Sequence, residues 1–149
     1  MSYPTNKLES TGSLDAIGAE AFSAIGAARQ ISPFSSRPGG FAIDAAYRVT
    51  PLVKRMYEAS GSNAVGRKIG FTNRTIWAQY GVYAPIWGYV FERTVYDLAA
   101  VETLPLGEFA EPRIEPEIVF GLSAAPSAEM DETDLISCIE WVGLGFEIV

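Results

Sequence analysis

Arg113-Ile114-Glu115-Pro116-Glu117-Ile118-Val119-Phe120 restricts the possible folds of this 149-residue chain more than any other stretch. Read as a strand, it puts Ile114, Pro116, Ile118 and Phe120 on one face and Arg113, Glu115, Glu117 and Val119 on the other. Proline has no N–H to give to a ladder, so Pro116 belongs on a sheet edge or at a bulge. Glu115 and Glu117 start roughly 7 Å apart; they repel each other when nothing lies between them and can converge on one cation. The same two charges also read as a guard that keeps an exposed edge from pairing with another chain. A second stretch, Phe146-Glu147-Ile148-Val149, favours the cation, because Glu147 also sits on an apolar strand and Gly145 on its face leaves room beside it. Three carboxylates without histidine or thiolate neighbours make an oxygen-ligand site, suited to Mg²⁺ or Mn²⁺ with the remaining positions left to water and substrate. A glycosidase-like acid–base pair is a weaker reading of Glu115 and Glu117. Both lie on one strand face, whereas that chemistry needs carboxylates on opposite sides of a bond.

Histidine is absent from the chain. Within these residues that excludes a Ser-His or Cys-His nucleophile pair, a His-rich zinc site and a histidine general base. Chemistry here must use carboxylates, lysine, tyrosine or a metal. The single cysteine, Cys138, cannot form a disulfide within the chain, and its place in an apolar stripe makes it a buried structural thiol in a reducing cytoplasm. A net charge of -7 without a Lys/Arg cluster argues against nucleic acid and anionic membrane surfaces as partners. A 48% hydrophobic fraction is that of a folded chain able to bury a core. No run of about 20 apolar residues is present to span a bilayer.

The order along the chain is helices first, strands later. Residues 1–12 are polar and carry no apolar core, so they are expected to be a flexible N-terminus, neither signal peptide nor anchor. Leu14, Ile17, Ala21, Phe22, Ile25 and Ala28 recur at helical spacing behind Ser13, an N-cap, with Asp15 in the first turn. Residues 32–40 are a loop. A second helical pattern, Ile43 to Ala59, contains Pro51, which predicts a kink or a split, and Gly61 closes it. Residues 13–62 are therefore expected to form a helical N-terminal lobe, and 63–149 the first part of a β-rich domain. In that second part Val65, Arg67, Ile69 and Phe71 alternate with Gly66, Lys68 and Gly70 as a short strand. The two glycines beside Lys68 either let a ligand approach its ammonium or leave a solvated lysine on a weakened strand. Thr72 and Asn73 cap a short helix ending at Gly81, and residues 83–96 read as a strand or strand pair. Trp87 and Tyr89 read either as pocket lining or as core. Residues 121–129 read as a loop and Asp131 to Val142 as a helix with Leu135, Cys138, Ile139 and Val142 inward. Glu140 then falls on that helix and is not a ligand.

Four pieces of sequence occur in a fixed order: Gly66-Arg67-Lys68-Ile69-Gly70-Phe71-Thr72; Tyr80-Gly81-Val82 with Gly88; Arg113-Ile114-Glu115-Pro116-Glu117-Ile118; and Ile139-Glu140-Trp141 leading to Glu147. In order and approximate spacing they resemble the 2-keto-4-pentenoate hydratase and 4-oxalocrotonate decarboxylase branch of the fumarylacetoacetate hydrolase superfamily, from about Ala27 to the last residue. The chain is short for such an enzyme and stops directly after Glu147, so it is expected to be the N-terminal part of one. The resemblance implies Lys68 as the active-site lysine, Gly70, Thr72 and Trp87 as substrate-binding residues, and Glu115, Glu117 and Glu147 as ligands of Mg²⁺ or Mn²⁺. Other branches of the superfamily use a histidine to activate water for carbon–carbon hydrolysis, and this chain has none. Where the hydratases commonly carry a carboxylate two residues before the glycine matching Gly88, it has Ile86.

What the resemblance implies is an α+β protein in which a helical N-terminal lobe packs on a mixed, mostly antiparallel, β-roll-like part, an incomplete fumarylacetoacetate hydrolase-like fold. The implied activity is that of a cytoplasmic, divalent-metal-dependent lyase, a hydratase or decarboxylase of aromatic catabolism. Its substrate is a small unsaturated 2-oxo acid, handled through a metal-stabilised enolate. The competing expectation is a non-catalytic fragment or oligomerising module. The apolar strand at the C-terminus has no turn, cap or polar tail, and a bare edge of that kind favours a homo-oligomer.

Overall fold

A computed structural model describes residues 13–149. The expected flexibility of residues 1–12 lies outside the described residues. The chain divides into two compact units, one ending at Pro105 and the other running from Leu106 to Val149.

The first unit begins with helix α1 (Leu14–Gly26), and Ser13 caps it as its position in the sequence predicts, its Oγ accepting a hydrogen bond from the Ala16 N–H at 3.3 Å. Helix α2 (Ile43–Ala59) lies against α1. The two approach closely at Gly18, where a Cβ would lie 3.4 Å from the Leu52 Cβ. Ile17, Gly18, Ala24, Ala45 and Val49 are the buried positions of the pair. Pro51 does not split the second helix: α2 continues through it as one element of 17 residues. The loss of one helical hydrogen bond, about 3 kcal/mol, is outweighed by what α2 packs against on both sides of the proline. Tyr47 stacks on Trp87 at 5.5 Å between ring centroids, and Tyr57 stacks on Phe91 at 3.9 Å and meets Phe22 edge-on at 5.0 Å. Gly61, at φ 82°, then turns the chain out of the helix. Arg37 reaches back to Glu20 through two hydrogen bonds of 2.8 Å, which hold the Glu20 carboxyl below its ordinary range.

Those aromatic contacts tie the first sheet to the helices. Strands β1 (Ala64–Gly70) and β2 (Ile86–Phe91) pair antiparallel, with Arg67 opposite Tyr89, Lys68 opposite Gly88 and Ile69 opposite Trp87. Only one strand forms within residues 83–96. Helix α2 and strand β2 share one aromatic core within the first unit. Between the strands, Asn73 Oδ1 accepts from the Thr75 N–H at 3.0 Å, helix α3 (Trp77–Tyr80) follows, and Gly81 ends it in the left-handed region.

The second unit is a long hairpin. Strands β3 (Ile114–Leu122) and β4 (Ile139–Ile148) pair antiparallel, and helix α4 (Glu132–Ser137) sits in the connection. Asp131 caps α4 by accepting from the Asp134 N–H at 2.9 Å. The helix expected over residues 131–142 is thus only its first half, and residues 121 and 122, expected in a loop, extend β3. Ladder pairing with β3 captures Trp141 and Val142, residue types that prefer strands, while Gly143 and Gly145 oppose any longer helix. Cys138 is 2% exposed, with its Sγ 3.7 Å from the Met130 Sδ. No helix among the described residues is long and apolar enough to cross a membrane.

The aromatic core of the first unit sets its stability. Phe91 is 8% exposed, so Phe91→Ala is expected to destabilise that unit by about 3 to 5 kcal/mol, read as a lowered denaturation midpoint with an unchanged slope.

Candidate metal centre

The hairpin register brings the three glutamates together. Glu115 lies directly opposite Glu147, Glu117 lies opposite Gly145, and alternation puts all three on one face. Arg113 and Val149 exchange both backbone hydrogen bonds, at 2.8 and 3.0 Å, which makes them a hydrogen-bonded pair. Two residues further in, Glu115 and Glu147 are the next such pair, and Pro116 opposite Phe146 falls between. The missing N–H of Pro116 therefore faces away from β4. The proline removes nothing from this ladder and sits where the run Glu-Pro-Glu can stay straight.

One carboxylate oxygen from each of Glu115, Glu117 and Glu147 lies within 4.8 Å of the other two. Glu115 is exposed, and Glu117 and Glu147 are half-buried. Ligand oxygens around Mg²⁺ at about 2.1 Å stand roughly 3 to 4 Å apart, so side-chain rotation alone closes the set. All donors are hard oxygens, and no histidine or thiolate competes, which suits Mg²⁺ or Mn²⁺. Three oxygens leave half of an octahedron for water or for a chelating ligand.

Glu140, expected on a helix, instead lies on β4 beyond the site, and it is not part of the cluster. Lys68 lies in the first unit on β1, with its aliphatic stem 3.8 Å from where a Cβ on Gly88 would stand. Gly66 and Gly70 flank it on the same strand face, so the sheet offers it three glycines. Ile86 shares that face, opposite Gly70. Trp87, which the resemblance implies as a substrate-binding residue with Gly70 and Thr72, lies on the sheet face opposite Lys68, stacked on Tyr47 with the Arg67 guanidinium 4.7 Å above its ring. Thr72 follows Phe71, which takes a left-handed φ of 59°, and the Phe71 carbonyl accepts from the Trp77 Nε1–H at 2.9 Å. Two residues of the glutamate face, Val119 and Trp141, were not singled out for the site. Their signal was the alternation Trp141, Gly143, Gly145, Glu147, hidden by the helical reading of residues 131–142.

No family model matches the chain. A 2-hydroxyhexa-2,4-dienoate hydratase of Comamonas testosteroni is 29% identical over 89% of this chain and 50% of its own length. A 2-keto-4-pentenoate hydratase of Burkholderia vietnamiensis is 32% identical over 81% of this chain and 46% of its own length. The resemblance is to the 2-keto-4-pentenoate hydratase and 4-oxalocrotonate decarboxylase family. The fold agrees: 4-oxalocrotonate decarboxylase of Pseudomonas putida G7, solved with magnesium and adipate, superposes with a TM-score of 0.79 at 24% identity, over 97% of this chain and 54% of that one. The chain spans about half the length of the curated hydratases it matches.

Like charges directly opposite on a sheet cost up to about 1 kcal/mol, the scale set for Glu115 opposite Glu147. Glu115→Gln is expected to raise the unfolding midpoint in EDTA and to lose the further rise that Mn²⁺ gives the unaltered chain. A variant less stable than the parent in EDTA would show that the carboxylates do not strain one another.

Proposed function

We propose that the chain is the metal-binding part of a divalent-metal-dependent lyase, of hydratase or decarboxylase type, acting on a small unsaturated 2-oxo acid of the kind met in aromatic catabolism. The observation that carries this reading is the convergence of Glu115, Glu117 and Glu147 oxygens within 4.8 Å on adjacent strands. The resemblance to hydratases over most of the chain, and the magnesium in the decarboxylase of like fold, support it. The same resemblance extends the fold to a fumarylacetoacetate hydrolase-like β-roll.

In this reading the three glutamates hold Mg²⁺ or Mn²⁺, and the half-burial of Glu117 and Glu147 limits competition from bulk water. When bound, the ion supplies chelation of the acid's carboxylate and keto oxygens and stabilises the negative charge that develops there in an enolate-like transition state. Lys68, by resemblance, is an electrostatic partner or proton carrier, and Gly70 and Thr72 bind the substrate. Gly66, Gly70 and Gly88 add no side chains of their own to the strand face that carries Lys68. Ile86 on the same face is apolar where hydratases commonly carry a carboxylate, so the proposal covers hydro-lyase and carboxy-lyase alike.

A second reading, an oligomerising module without catalysis, draws on the other face of the hairpin. There Ile114, Ile118, Leu144 and Phe146 are 64%, 62%, 86% and 59% exposed. Calorimetry with Mn²⁺, with and without oxalate as an enolate mimic, separates the two. The lyase reading predicts saturable binding that oxalate tightens and that Glu117→Gln weakens by at least about tenfold, a loss typical even of partners outside the ligand shell. A folded chain that binds no Mn²⁺ would contradict it.

A further inference from the structure

Beyond the carboxylates, the glutamate face of the hairpin continues into an apolar shelf. Its rows run Glu115 with Glu147, Glu117 with Gly145, Val119 with Gly143, and Gly121 with Trp141. Val119 leans over Gly145, where a Cβ would come within 2.9 Å of the Val119 Cγ2. Trp141 lies flat across the partner strand: a Cβ on Gly121 would stand 2.0 Å from its Cε2 and 2.1 Å from its Nε1, and one on Gly143 would stand 3.4 Å from its Cζ3. Glycine is required at 121 for the indole to lie down at all. Yet lying down does not bury these side chains, since Val119 remains 41% and Trp141 53% exposed. Among the described residues the indole has no ring partner, and its outer side faces away from the sheet.

This placement is asymmetric in a way that fits one kind of ligand. The Val119 row is about 7 Å and the Trp141 row about 13 Å from the Glu117 row. A ligand whose oxygens meet the carboxylate end and whose carbons run along the sheet lays its first carbons on Val119 and its later ones toward Trp141. The large apolar residues on the reverse face cannot serve, because the sheet itself separates them from the glutamates. Resting on the metal-binding reading above, we infer that Val119 and Trp141 are the specificity-determining seat for the hydrocarbon tail of the metal-bound 2-oxo acid. The flat indole favours an extended, planar tail over a branched one.

The test is a series of straight-chain 2-oxo acids, pyruvate through 2-oxohexanoate, titrated calorimetrically into the 149-residue chain with Mn²⁺ present. Affinity is expected to rise by up to about fourfold per added methylene. Trp141→Ala and Val119→Thr should both flatten that rise while leaving the affinity for oxalate, which has no tail, unchanged. Val119→Thr keeps the side-chain shape, so it decides the matter alone if Trp141→Ala does not fold. A series that is flat in the unaltered chain despite tight Mn²⁺ and oxalate binding overturns the shelf only, as does a rise that both variants retain. Absence of Mn²⁺ binding by the folded chain overturns the metal reading and the shelf with it.

Discussion

The second unit depends on one register: Glu115 of β3 paired with Glu147 of β4. Shifted by one residue, β3 would turn over relative to β4, leaving Glu147 on the face opposite Glu115 and Glu117 and breaking up the cluster. Pro116 is compatible with this register, because its missing donor points away from the ladder. The cost is electrostatic, two carboxylates in direct opposition with a third diagonal to them. A divalent cation held by all three carboxylates offsets their mutual repulsion while adding ligand bonds.

The two faces of the hairpin then divide the work. One carries Glu115, Glu117 and Glu147 at its terminal end and Val119 and Trp141 further along, with glycines at 121, 143 and 145 letting the apolar side chains lie flat. The other is almost wholly aliphatic and aromatic. Acidic head and apolar tail side by side on a single rigid sheet are what a small amphiphilic acid would need. In the first unit a comparable economy holds, since the aromatic rings that fix α2 to β2 leave the opposite sheet face to Lys68 and three glycines.

Much of this was legible in the sequence, and the failures are instructive. Alternation assigned Glu115 and Glu117 to one face, and Gly145 marked the open position beside Glu147, because strand alternation is local and rigid. Ser13, Asn73, Gly61 and Gly81 act at helix ends as their chemistry dictates. The helix read over residues 131–142 failed because Leu135, Cys138, Ile139 and Val142 satisfy helical spacing by coincidence, while the strand state of residues 139–142 is decided by β3, which lies many residues earlier. For Pro51, the penalty was visible but the aromatic contacts that outweigh it were not. The same holds for Trp87: aromatic density told of a core or a pocket, but only the pairing of Ile69 with Trp87 shows that it faces α2, away from Lys68.

Paramagnetic broadening of backbone amide signals by substoichiometric Mn²⁺ tests the central claim most directly. The account predicts that the signals of residues 114–118 and 145–148 broaden first and together, because one ion is held by both strands at the Glu115, Glu117 and Glu147 cluster. Broadening that instead begins at the acidic residues of α4, or spreads evenly over the chain's carboxylates, would contradict a built metal centre on the hairpin.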